Sequence, residues 1–68
     1  MSPKLDRLRR VRESQFMTQQ DLAEKASLTV STISRLESGK EEARFSTTKK
    51  LAAALGVEPG ELVEDGGR

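Results

Sequence analysis

Apolar residues recur at helical spacing along most of the chain, in stretches separated by short polar breaks. Leu5, Leu8 and Val11 return every three residues within a charged segment, which predicts a helix from about Pro3 to Ser14 with Ser2 and Pro3 at its start. Thr18 stands three residues before Asp21, and Leu22, Ala23 and Ala26 follow. That order is a capped second helix over about Gln19 to Ala26. A second cap, Thr29, precedes Ile33 and Leu36, and Gly39 supplies a left-handed stop; a third helix is expected between them. SGKEEAR has no apolar period and reads as a loop. Phe45, Thr48, Leu51, Ala52 and Leu55 then resume helical spacing up to Gly56, with Val57 as a seal. Glu58 and Pro59 open a short last helix carrying Leu62 and Val63. The prediction is an all-α bundle of five short helices over residues 1–63, with 64–68 a flexible tail. Met17, Phe45 and Leu51 are expected in its core.

Composition narrows the chemistry. With 68 residues, 34% of them apolar, the core of a single small domain must be filled by few side chains. Cys and His are absent, so disulfides, thiolate nucleophiles, imidazole bases and the usual zinc ligand sets are excluded. No phosphate-binding glycine loop or nucleophile–base spacing appears, and neither an enzyme nor a cofactor is expected. No apolar run is long enough to span a membrane and no signal-peptide pattern is present, which predicts a cytoplasmic protein without a membrane partner. The net charge is +1, but residues 1–56 carry +4 and residues 57–68 carry −3. The basic residues Lys4, Arg7, Arg9, Arg10 and Arg12 crowd the first dozen positions, a pattern that suits either a solvated helix face or a polyanion.

Two short capped helices joined by about three residues, with Leu28 in the turn, form a helix-turn-helix unit whose second helix can enter a DNA major groove. At 100° per residue, Ile33, Leu36 and Glu37 share one side of the third helix and Ser31, Ser34, Arg35 and Ser38 the other. Small polar side chains let a backbone approach base edges, while hydroxyls and a guanidinium offer hydrogen bonds. The same residues could also serve an ordinary solvated face.

TQQDLAEKASLTVSTISRLESGK, followed by KKLAAALGV, resembles the phage repressor and Cro type of helix-turn-helix domain, the xenobiotic-response-element family. The resemblance covers about residues 5–63. It implies a DNA-binding transcriptional regulator, a repressor acting as a homodimer on a palindromic operator in double-stranded DNA, without a small-molecule ligand. It places Val30, Ser31, Ser34 and Arg35 at base edges and Gln19, Thr29, Ser38, Lys40, Arg44 and Arg10 or Arg7 at phosphates. Arg12 and Glu37 match an ion pair between the first and third helices. Leu62 and Val63 are expected at the dimer interface.

Four departures stand out. Glu41 and Glu42 put carboxylates in a loop expected beside phosphate. Phe16 and Ser27 occupy turn positions where glycine is usual, and Arg44 stands where a capping serine is common. Phe16 and the apolar end of the chain keep a second class of function open: a protein-interaction module such as an antitoxin or anti-repressor, with a toxin or other protein as partner.

Overall fold

A computed structural model describes residue 5 and residues 7–63. In chain order the elements are α1 (Leu8–Ser14), α2 (Gln19–Ala26), α3 (Val30–Ser38), α4 (Phe45–Leu55) and a 3-10 turn, Pro59–Leu62. Among the described residues there is no strand and no helix long and apolar enough to cross a membrane. The expected fifth helix is thus a single 3-10 turn. Its closure is of the i to i+3 kind, Glu61 N–H donating to the Glu58 carbonyl at 2.9 Å, and the segment ends as soon as Leu62 reaches the core.

α2 packs against both α3 and α4, α1 lies on α3, and the 3-10 turn covers α4. Leu8, Leu22, Ile33, Leu36, Leu51 and Leu62 are the largest fully buried side chains. Each contributes about 1.5–3 kcal/mol by leaving water, as an upper estimate. Because these six come from all five elements, the orientation of α3 depends on the whole core.

The start of α1 differs from its pattern. Pro3, Lys4 and the tail 64–68 lie outside the described residues. Leu5 is buried but not helical, and Arg7 caps α1. The cause is a long-range bond: Arg7 N–H donates to the Leu62 carbonyl at 3.0 Å, tying the entry of α1 to the far end of the chain. Phe45 also differs, being 74% exposed while Leu51 is buried and Met17 half-buried. As the first residue of α4 it stands ahead of Thr48, the first buried position of that helix.

Candidate nucleic-acid interface

The site is built on α2, α3 and the turn between them. Thr18 caps α2: its hydroxyl accepts from Asp21 N–H and its own N–H donates to the Asp21 carboxylate, both at 3.0 Å. The Thr18 backbone N–H foremost, with the Thr18 hydroxyl second, holds the Asp21 carboxyl below its ordinary pKa. With Leu22 N–H bonded to the Thr18 carbonyl at 3.1 Å, the N–H groups of Gln19 and Gln20 are left at the helix end, where donors and the helix dipole favour an anion.

Thr29 supplies the hydroxyl half of this device on α3, accepting from Thr32 N–H at 3.2 Å. Between the helices, Ser27 adopts φ 60, ψ 42, and Leu28 N–H closes on the Ala23 carbonyl at 2.8 Å. Leu28 packs against the core. The turn therefore keeps the left-handed geometry usual for glycine even though serine occupies it.

α3 is clearly two-sided. Ile33 and Leu36 are buried, whereas Val30, Ser31, Ser34, Arg35 and Ser38 are all exposed. Gly39 ends the helix at φ 79, and Lys40 N–H donates to the Arg35 carbonyl at 3.0 Å. Lys40, Arg44, Arg10 and Arg7 are exposed, and Thr29 is exposed despite its capping bond. Arg44 caps α4 through its backbone alone, its carbonyl accepting from Thr48 N–H and hydroxyl at 2.9 and 3.0 Å.

Beneath this surface Arg12 and Glu37 meet, with side chains only 9% and 4% exposed. Arg12 Nε donates to Glu37 Oε2 at 2.6 Å and Nη2 to Oε1 at 3.1 Å. The third edge of the guanidinium, Nη1, donates to the Met17 carbonyl at 2.6 Å. The hydrogen bond to Glu37 raises the Arg12 pKa still further against the opposing effect of burial, so the cation is permanent. Gln19 Nε2 also donates to Glu37 Oε1, at 3.0 Å. One carboxylate on α3 thereby gathers α1, the turn before α2, and the first residue of α2. A buried pair of this kind fixes orientation more than it adds stability.

Three features escaped the sequence pattern. The Gln19 side chain turns inward to Glu37 rather than standing free at the helix end. Arg35 Nη1 lies 3.8 Å from Glu41 Oε1. Leu62 is fully buried within the protomer, so it is not a dimer-surface residue; its side chain belongs to the monomer core, and only the half-buried Val63 remains of the expected pair.

Comparison with known proteins agrees with this geometry. A family model described as helix-turn-helix matches residues 8–62. Among solved structures, the restriction-modification controller protein C.AhdI from Aeromonas hydrophila superposes with a TM-score of 0.81 at 35% identity, covering 84% of this chain and 86% of that one. ComR from Streptococcus suis gives 0.76 at 32% identity, covering 96% of this chain and 22% of its own, so this chain spans about a fifth of ComR. No curated protein sequence matches at a significant level. With the family model matched from α1 to the 3-10 turn, the chain belongs to the helix-turn-helix family of Cro/C1 type, a family of DNA-binding transcription regulators.

Proposed function

We propose that the protein is a sequence-specific repressor that binds a palindromic operator as a homodimer, with α3 of each copy in the major groove. The observation that carries this reading is the outer face of α3, where Val30, Ser31, Ser34 and Arg35 are exposed together on a helix capped at both ends. Arg35 is the residue for guanine, its fork matching O6 and N7; Val30 meets a thymine methyl, and Ser31 and Ser34 serve either donors or acceptors. The N–H groups of Gln19 and Gln20 at the start of α2 position the protein on a phosphate, with the Gln19 side chain held behind them by Glu37, assisted by Thr29, Ser38, Lys40, Arg44 and Arg10.

Dimerisation follows from the small reach of one such helix. Three or four side chains read only a short half-site, and two copies on half-sites about 34 Å apart double the recognised length. Among the described residues near the chain's end, the half-buried Val63 is available to such a contact. Selection of duplexes from a random pool at two salt concentrations tests the proposal: an enriched site with two-fold symmetry is expected, with affinity falling as salt rises in proportion to the phosphates neutralised. No enrichment, or an asymmetric site, would remove the operator or the dimer from the account.

A second reading has one observation in its favour. Phe16 is 96% exposed and held at φ 58, which suits a protein partner. It gains ground if Phe16→Gly leaves DNA binding intact but abolishes regulation.

A further inference from the structure

We propose that Glu41 is the carboxylate that holds Arg35 in the free protein, and that recognition of a base by Arg35 is an exchange of partners whose strength Glu41 sets. The inference rests on the reading of Arg35 as a base contact. Its structural basis is the end of α3. Gly39 turns the chain back at φ 79, Lys40 N–H locks onto the Arg35 carbonyl at 3.0 Å, and Ser38 Oγ donates to the same carbonyl at 3.2 Å. Glu41, the next residue, is thereby returned to the side chain of Arg35, with Nη1 and Oε1 at 3.8 Å.

The geometry argues for a loose holder. A charge-assisted hydrogen bond lies at about 2.7–2.9 Å, and the buried Arg12–Glu37 pair shows what an orienting contact looks like in this molecule: two bonds, at 2.6 and 3.1 Å, out of water. The Arg35–Glu41 pair makes no such bond, and its side chains are 59% and 45% exposed. It offsets part of the guanidinium charge without fixing its direction. When Arg35 turns to guanine O6 and N7, that compensation is lost and the carboxylate is left near phosphate. Part of what the new contact contributes is offset by the contact surrendered. Glu42 carries the same charge in the same loop but makes no ion pair among the described residues, so it supplies an internal control for simple repulsion.

The test is a double-mutant cycle on a duplex selected from the random pool and on a random duplex, read by fluorescence anisotropy at low salt. Glu41→Gln is expected to tighten binding to the selected duplex by up to about five-fold, the range of an exposed ion pair. In the Arg35→Ala background most of that gain should vanish. Glu42→Gln should give the same small gain in both backgrounds. The coupling should shrink towards 0.15 M salt, where the Debye length is about 8 Å. An equal gain from Glu41→Gln with and without Arg35 would overturn the proposal, leaving Glu41 as a source of general repulsion only. Weaker binding of Glu41→Gln would also overturn it, since Glu41 would then support Arg35 in the complex. Failure of the base-reading assignment is seen separately, as unchanged base preference in Arg35→Ala alone. A pool that yields no selected duplex removes both.

Discussion

The four helices stop in the same way but with different residues. α3 and α4 end at Gly39 and Gly56, with φ of 79 and 71, whereas α1 and α2 end through Phe16 and Ser27, with φ of 58 and 60. Each stop closes a six-to-one bond: Met17 N–H to the Arg12 carbonyl at 3.3 Å, Leu28 to Ala23 at 2.8 Å, Lys40 to Arg35 at 3.0 Å and Val57 to Ala52 at 3.0 Å. A left-handed conformation is easy for glycine and costs other residues about 1 kcal/mol or more. The backbone adopts it in the N-terminal half all the same, so there the geometry is imposed by surrounding contacts. Those contacts are visible at Phe16. Arg12 Nη1 holds the Met17 carbonyl, and Gln15 Nε2 donates to the Leu55 carbonyl at 2.6 Å. At Ser27 the anchor is Leu28, packed on the core.

The largest effect is expected from breaking that brace. Arg12→Met leaves Glu37 buried beside Gln19 alone and frees the Met17 carbonyl, for a loss of about 3–5 kcal/mol. Chemical denaturation measures it. Adding Glu37→Leu should recover much of the loss, because no unpaired charge then remains. A loss under about 1 kcal/mol in the single variant would mean that the N-terminal turn stands without its brace.

Next in size are the glycine stops themselves. A Cβ built on Gly39 or Gly56 meets nothing within 4 Å, so alanine there is penalised by backbone conformation alone, at about 1 kcal/mol. Ser27→Gly and Phe16→Gly are the reverse experiment. Each should raise stability by a few tenths to about 1 kcal/mol, since relief of strain is partly offset by the greater freedom of glycine in the unfolded chain. That corresponds to a few degrees in melting temperature. A lower melting temperature for Ser27→Gly would contradict the left-handed turn and, with it, the angle of α3.

The smallest effect belongs to the α2 cap. Hydrogen bonds from Thr18 lower the Asp21 pKa in the folded protein, so the stabilisation is complete above the unfolded carboxylate value and lost as pH falls through the folded one. The melting temperature of Asp21→Asn should therefore change less on acidification than that of the parent. An identical acid profile would show that the box adds nothing.

The boundaries of α2 and α3 and the end of α4 were legible because their signals are local: Thr18 and Thr29 as caps, Gly39 and Gly56 as stops; the start of α4 was not, because Arg44 caps it without a side-chain bond. The two faces of α3 were legible for the same reason, since periodicity separates Ile33 and Leu36 from Ser31, Ser34 and Arg35. Errors arose where a distant residue decides. Leu5 has helical spacing to Leu8, but the bond from Arg7 to Leu62 sets the start of α1. Leu62 reads as surplus apolar surface near the chain end until α4 and Arg7 are seen against it. Phe45 keeps the period of α4 yet stands ahead of the buried part of that helix. The Gln19–Glu37 bond, between residues 18 apart in sequence, leaves no local trace. The Arg35–Glu41 pair does have a local signal: a glycine stop returns the chain over the last turn of a helix, so a charge two residues beyond it can meet one four residues before it.

The central claim is that α3 reads bases through Arg35 while the start of α2 positions the protein through Gln19. It is tested most directly by comparing Arg35→Ala and Gln19→Ala on the selected operator, its single-base variants and random DNA. Arg35→Ala is predicted to erase discrimination at one base pair, worth about 1–3 kcal/mol, and Gln19→Ala, which removes the bond to Glu37 that sets the start of α2 against α3, to weaken all duplexes by a similar factor. An equal loss for Arg35→Ala on operator and random DNA would contradict the account.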